Sequence, residues 1–190
     1  MDMPIKQNPS QQNGSQEKFS LDVEAIRAKA RQHLEEGAIT DAYAANREEI
    51  IKMLNEALAT ELVCVLRYKR HFFMAKGIHS EAVAAEFAEH ATQEAEHADS
   101  IAERIVQLGG EPDFSPKGLE QRSHSEYVAG NSLQDMIREN LVAERIAIDS
   151  YKAMVDYIGG DDPTTRRMLE QILAVEEEHA DDMSDLLEHN

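Results

Sequence analysis

The residues that break helices are scarce in this 190-residue chain, with 9 Gly and 5 Pro, and they fall in few places. Between Ala38 and Leu108 the only breaker is Gly77. From Asn131 to the end there are only Gly159, Gly160 and Pro163. The cluster Gly109, Gly110, Pro112, Pro116, Gly118 and Gly130 marks a single long connection between these regions. Four uninterrupted stretches remain, roughly 42–76, 79–108, 132–158 and 163–188. Each is rich in Ala, Glu, Leu, Met and Arg, which lose little side-chain freedom in a helix. Ser80, Ser132 and Asp162–Pro163 stand where helices should start, and Gly77, Gly109 and Gly159 where they should end. The alternation of β-branched residues expected of strands is absent. The prediction is an all-α chain of four long helices in two antiparallel hairpins, joined by a long crossover. The crossover has room for a small helix near Leu119–Val128.

The N-terminal part reads differently. Residues 1–20 are rich in Gln, Asn, Ser and Pro and are expected to form a flexible tail. Residues 21–45 read as an N-terminal helical extension, with a short amphipathic segment over 21–37. Leu21, Ile26, Ala30 and Leu34 would dock it on the main body. The bundle itself is expected over 46–190.

On each long helix an apolar seam recurs at alternating three- and four-residue steps, the pattern by which facing helices pack. The seams read Ile51, Leu54, Leu58, Glu61, Val65, Tyr68, Phe72, then Val83, Phe87, His90, Glu94, His97, Ile101, Arg104, Leu108. The other two read Ile137, Leu141, Glu144, Ile148, Tyr151, Val155, Ile158 and Leu169, Ile172, Glu176, His179, Met183, Leu186. Each therefore carries a Glu near its middle, and two carry Glu-x-x-His. A buried carboxylate costs several kcal/mol unless it is paired or bound to metal.

Depth and repetition agree. Glu61 lies 15 residues before Lys76 and Glu94 lies 15 after His79; Glu144 lies 14 before Ile158 and Glu176 lies 13 after Pro163. Antiparallel hairpins therefore bring all four to one level. Glu61 is followed by Tyr68 and then, at +33, by Glu94-x-x-His97; Glu144 is followed by Tyr151 and then, at +32, by Glu176-x-x-His179. Glu61, Glu94, His97, Glu144, Glu176 and His179 thus supply four carboxylates and two imidazoles. Four negative charges balance two divalent cations. The donor set suits iron or manganese, with zinc as a competitor.

At this point the chain resembles the bacterioferritins and the wider ferritin-like superfamily, over about residues 48–188. The stretches that carry the likeness are LNEALATELVCVLRYKRHF, EAEHADSIAERIVQLGG, LVAERIAIDSYKAM and ILAVEEEHADDM. The resemblance implies a ferritin-like four-helix bundle and a di-iron ferroxidase centre. Glu94 and Glu176 would bridge the irons, and Glu61 and Glu144 would be terminal. Tyr68 matches a tyrosine beside the di-iron centre and is the candidate catalytic residue, either as an electron donor or only as core filler. Tyr151 reads as a core aromatic with a satisfied hydroxyl. His90 is left between capping a polar layer, lining an iron path and acting as a ligand. Glu96, Glu177 and Glu178 read as solvated or inner-surface carboxylates.

Three departures separate this chain from bacterioferritins. Ala95 stands where the haem-binding methionine would follow the first ligand Glu, so haem is not expected. Only 11 residues follow His179, too few for the family's short fifth helix. The crossover is also longer. The last two features resemble Dps-type mini-ferritins, so a homo-oligomeric shell of 12 subunits is expected in preference to 24. Some relatives of that group carry a cysteine pair beside the metals, and lone Cys64 cannot supply one.

The function these readings imply is iron storage and detoxification, in which Fe(II) is oxidised by O2 or H2O2 at an intrasubunit centre. Two alternatives stay open: a non-storing di-iron or di-manganese peroxidase or catalase, and a DNA-protecting Dps-type protein. Composition bears on them. With 19 basic and 37 acidic residues the formal charge is −18, the wrong sign for holding nucleic acid or an anionic membrane surface. The tail charges Asp2, Glu17, Lys6 and Lys18 cancel, so DNA binding is not expected. No apolar run approaches the ~20 residues of a membrane span, and no secretory signal is visible, so the expected location is cytoplasmic.

Overall fold

In the computed structural model, residues 19–77 and 80–189 are described. The expected tail, apart from Phe19 and Ser20, lies outside the described residues. Every regular element among the described residues is helical, as expected: α1 (Val23–Lys29), α2 (Arg47–Met74), α3 (Ser80–Gln107), α4 (Leu119–Arg122), α5 (Leu133–Ile158) and α6 (Pro163–His189), with a 3₁₀ turn at Leu34–Glu36. It divides into two compact units, the first ending at Leu34 and the second starting at Glu35.

In the first unit α1 is only seven residues long and none of them is buried. Asp22 caps its start by accepting from Ala25 N at 3.0 Å. Its predicted docking residues Leu21, Ile26 and Leu34 are 58%, 50% and 75% exposed. The helix is also shorter than the 21–37 segment, because His33 takes a left-handed backbone conformation (φ 51°) that a helix cannot include.

The second unit holds the four long helices. The pairs α2/α3 and α5/α6 pack as hairpins, with α2 against α5 and α3 against α6 between them. Helix α2 starts at Arg47, later than expected, because Asn46 caps it by accepting from Glu49 N. The preceding residues Ile39, Tyr43 and Ala45 pack against the core instead. Ser132 caps α5 and Asp162 caps α6 by accepting from Thr165 N. Ser80 is not such a cap: it is already inside α3, and its hydroxyl donates back to the Gly77 carbonyl at 2.8 Å.

The crossover is bound to α2 by side chains. Asn55 accepts from Asp113 N at 2.7 Å and Thr60 accepts from His124 N at 2.9 Å. Arg67 donates to Ser125 and to the Glu126 carbonyl, and Arg70 donates to the Ala129 carbonyl. Only Leu119–Arg122 of the expected crossover helix is helical. The Glu126 and Ala129 carbonyls are turned onto α2 and are therefore spent on its side chains.

The core is split. One apolar cluster holds Ile50, Leu54, Leu58, Ile101, Ile105, Ile158 and Leu169. The other holds Val83, Phe87, Met136, Ile137 and Met183. Tyr151 belongs to the first and Tyr68 to the second. The predicted seams are buried at most positions, half-buried at Ile51, Val65, Leu141, Ile148, Val155 and Leu186, and exposed at Phe72. At the end of α2 the buried residue is His71, whereas Phe72 is 37% exposed. A 3.6-residue helix drifts from a strict heptad over three turns, and Arg67 and His71 hold the drifted face through polar partners.

Candidate metal centre

The residues between the two apolar clusters are acidic. Glu61, Glu94, Glu144, Glu176 and His179 are each at most 1% exposed, and His97 is 8% exposed. They come from all four long helices, one Glu from α2 and α5 and a Glu-x-x-His from α3 and α6. The i,i+3 spacing puts each Glu and its His on one helix face. The structure thus brings together all six residues singled out as ligands.

They form two overlapping groups whose donor atoms lie within 4.8 Å of one another: Glu61, Glu94, His97 and Glu176, and Glu94, Glu144, Glu176 and His179. Glu94 and Glu176 belong to both. In the first group His97 Nδ1 is 3.5 Å from Glu61, 3.4 Å from Glu94 and 3.0 Å from Glu176. In the second His179 Nδ1 is 3.5 Å from Glu94 and 3.8 Å from Glu176.

The donor set fits a pair of metal ions on one decisive observation. Glu61 Oε2, both oxygens of Glu94, Glu144 Oε2, both oxygens of Glu176 and the Nδ1 atoms of His97 and His179 are buried without a hydrogen-bond partner. Buried polar atoms are nearly always satisfied, and an unpaired buried carboxylate is costly. Eight such atoms converging on one space describe a coordination shell rather than a packed core.

Electrostatics agree. Burial first, and the Glu94 charge second, push Glu61 and Glu176 well above the ordinary carboxylate range and push Glu144 up as well. Burial also opposes ionisation of Glu94, but its interactions with His179, His97 and Glu61 together hold it below the ordinary value. Burial lowers His97, yet Glu176, Glu61 and Glu94 overcome it and raise the imidazole to about 12. Glu61, Glu144 and Glu176 therefore favour their protonated forms and His97 its cationic form.

The chain belongs to the ferritin-like family. The ferritin-like domain model matches residues 51–189. A bacterioferritin from Mycobacterium avium is 30% identical over 141 residues, 74% of this chain and 84% of the relative. Among solved structures, a dodecameric thioferritin, the bacterioferritin-related protein of Bacteroides fragilis, superposes with a TM-score of 0.74 at 32% identity, covering 77% of this chain and 88% of that one. A Desulfovibrio desulfuricans bacterioferritin, solved with its diiron site in different catalytic states, superposes with a TM-score of 0.67 at 26% identity, covering 77% and 84%.

Within this acidic layer Glu61 and Glu144 are each held by a tyrosine from the opposite helix. The Tyr68 hydroxyl of α2 donates to Glu144 on α5, and the Tyr151 hydroxyl of α5 donates to Glu61 on α2. Tyr151 is thus a core aromatic with a satisfied hydroxyl, as expected, and Glu61 is the group that satisfies it. His90 touches Tyr68, with Nδ1 3.1 Å from its hydroxyl, and stacks on His179 with ring centroids 3.9 Å apart. Glu96, Glu177 and Glu178 lie outside the buried set, as expected.

Several polar residues here were not singled out from the sequence. Gln93 Oε1 sits 2.7 Å from His179 Nε2, which fixes the tautomer that leaves Nδ1 facing the acids. The buried Arg67 guanidinium donates to Asn140 at 2.9 Å and to Cys64 Sγ at 3.3 Å, and His71 Nδ1 is 3.2 Å from the same Asn140 oxygen. Asn140 stands one turn before Glu144, and a polar residue four positions before a candidate ligand Glu was the available signal. At the far end of the bundle Arg104 donates to both oxygens of Asp162 at 3.0 Å, and Tyr43 donates to the same carboxylate at 2.8 Å. This network closes the bundle and does not touch the acidic layer.

Proposed function

We propose that this protein is a ferroxidase of the iron-storing kind, which takes Fe(II) as substrate at Glu61, Glu94, His97, Glu144, Glu176 and His179. The observation that carries the reading is the set of unpaired buried carboxylate and imidazole atoms at one level of the bundle. Glu94 and Glu176 are shared by the two donor groups and would bridge two irons, with Glu61 and His97 completing one shell and Glu144 and His179 the other. A bound iron pair supplies one electron from each ion to O2 or H2O2. The chain's part is to hold both ions at bridging distance, to release the protons the acids carry beforehand, and to keep the ligands aimed through Tyr68, Tyr151 and Gln93. Manganese and zinc fit the same donors as competitors. Ala95 gives no methionine for haem beside the first ligand pair.

The relatives support storage in a shell, since one of them is named as dodecameric and others as bacterioferritins. A 12-subunit homo-oligomer accommodates the ferric product, and acidic walls of a chain with net charge −18 draw in ferrous ions. On this reading the protein acts on iron in the cytoplasm and leaves DNA alone. To test it, apoprotein is loaded in air with many Fe(II) per subunit and the product sized. The expected result is a shell of about 12 subunits that retains a mineral core. Uptake that stops at two irons per chain, with fast peroxide turnover and no core, would overturn storage in favour of a non-storing oxidoreductase.

A further inference from the structure

One cluster of donor atoms is not used by the centre described above. Glu86 and His90 lie one turn apart on α3, and Asp182 lies opposite on α6; one donor atom from each falls within 4.8 Å of the others. His90 Nε2 is 3.4 Å from Asp182 Oδ2 and 3.8 Å from Glu86 Oε2. The imidazole is buried, while the Glu86 and Asp182 side chains are 41% and 46% exposed. The cluster is therefore open to solvent at its carboxylates and closed at its base by the ring.

These separations exceed the 2.7–3.2 Å of ordinary N–H···O bonds. They match the spacing of two ligands around one ion. Donors about 2.1 Å from a metal at a tetrahedral angle lie roughly 3.4 Å apart.

The proton inventory points the same way. The Tyr68 hydroxyl has one proton, and it is given to Glu144. His90 Nδ1, 3.1 Å from that hydroxyl oxygen, then supplies the proton of their contact. The other ring nitrogen, Nε2, faces the two carboxylates. One ion placed between the three donor atoms is within reach of all of them. A ring with one nitrogen donating to a fixed acceptor and the other presented to acids is the arrangement in which metal-binding histidines are held.

We propose that Glu86, His90 and Asp182 form a third divalent transition-metal site, holding Fe(II) beside the di-iron centre. The proposal rests on the ferroxidase reading. Two carboxylates neutralise one divalent ion, and the nitrogen donor selects iron, manganese, cobalt or zinc over magnesium and calcium. The stack of His90 on His179 places this ion one imidazole away from the Glu144–His179 half of the centre. The site occurs once per subunit, because the positions of α6 that repeat Glu86 and His90 are Met168 and Ile172.

Crystals of the full chain grown with Co(II), with anomalous data at the cobalt edge, separate this proposal from the one beneath it. The expected map shows two peaks within the Glu61–His179 ligand set and a third among Glu86, His90 and Asp182. The third peak is expected to vanish in the Glu86→Gln, Asp182→Asn double variant while the first two persist. Two peaks alone in the native chain would overturn the third site and leave the di-metal centre standing. A third peak that survives in the double variant would overturn the assignment to these residues. An absence of peaks at the centre would overturn the ferroxidase reading together with this one.

Discussion

The two hairpins repeat the same ligands and differ in what stands behind them. Glu61, Tyr68, Glu94 and His97 recur as Glu144, Tyr151, Glu176 and His179, and each set lies on equivalent helix faces. Around them, Arg67, His71, His90 and Gln93 of the first hairpin become Ser150, Met154, Ile172 and Val175 in the second. The Glu144–His179 half is therefore braced by polar groups, with Gln93 on His179, His90 on Tyr68, and Arg67 with His71 on Asn140. At the Glu61–His97 half the corresponding positions, apart from Ser150, are apolar, and Met154 and Ile172 pack there as core. The repeat fixes where metal would sit. The residues that break the repeat set how the two half-sites differ.

The comparison is broken most severely at the residues both halves share. Glu94→Ala removes a ligand from each half-site at once. Losing a group that merely supports a metal ligand already costs 10–100-fold in affinity, so iron oxidation is expected to fall by about 100-fold or more. Metal analysis should find no paired ions. Glu61→Gln and Glu144→Gln should instead each leave one metal per chain, at opposite halves. If Glu94→Ala retained two metals, the shared-ligand arrangement would be wrong.

Next in size is the brace itself. Arg67→Met leaves Asn140 and Ser125 without their donor inside the bundle, and the expected loss is about 2–4 kcal/mol in denaturant unfolding of the apoprotein. Ser150→Ala, at the repeat-related position, should change stability by no more than about 0.5 kcal/mol. Equal effects would show that the polar backing is not specific to one half.

These two cases mark what was legible in the sequence. The helices and the six acidic-layer residues could be read because breakers and ligands obey short-range rules: a Gly or Pro bounds a helix, and a Glu-x-x-His lies on one face. Arg67, His71, Asn140 and Gln93 could not be read in the same way. Their anchoring partners lie far along the chain, 58 residues from Arg67 to Ser125 and 86 from His179 to Gln93. An Arg beside a Tyr on a helix looks like a surface residue until the crossover chain covers it. The late start of α2 has the same origin. Thr40–Ala45 has ordinary helical composition, but Tyr43 is drawn to Asp162, 119 residues on.

The acidic layer sets a pH dependence that sharpens the contrast between metal-free and metal-loaded protein. Glu61, Glu144 and Glu176 have raised pKa values in the folded chain. The folded state thus holds their protons after the unfolded state has lost them. Their contribution to stability is full below about pH 4.3 and is lost as pH rises toward the folded values. His97, raised to about 12, acts in the same direction from about pH 6.5 upward. Glu94 acts oppositely, and only below the ordinary carboxylate range. Apoprotein melting temperature should therefore fall by several degrees between pH 5 and 8. Saturating Co(II) should abolish that slope and release protons measurable in weakly buffered solution, because the metal replaces them. A flat apoprotein profile would mean that the acids are solvated in the free protein.

The smallest expected effect tests whether the two tyrosines are equivalent. Tyr68→Phe and Tyr151→Phe each remove a hydroxyl that donates to a terminal Glu, and by that contact alone both should slow iron oxidation equally. Tyr68 differs in one respect: its oxygen also receives His90 Nδ1, 3.1 Å away, so it joins Glu144 to a ring stacked on His179. Losing it frees Glu144 and unties His90 together, whereas losing Tyr151 frees Glu61 only. Single-turnover oxidation at two Fe(II) per subunit should slow by about tenfold in Tyr68→Phe, at the lower end of the range for groups that orient a ligand, and by a few-fold in Tyr151→Phe. The difference should disappear in a His90→Ala background, where Tyr68 has no second partner to hold. Equal slowing in the native background would place the whole function of each tyrosine at its carboxylate and remove His90 from the working of the centre.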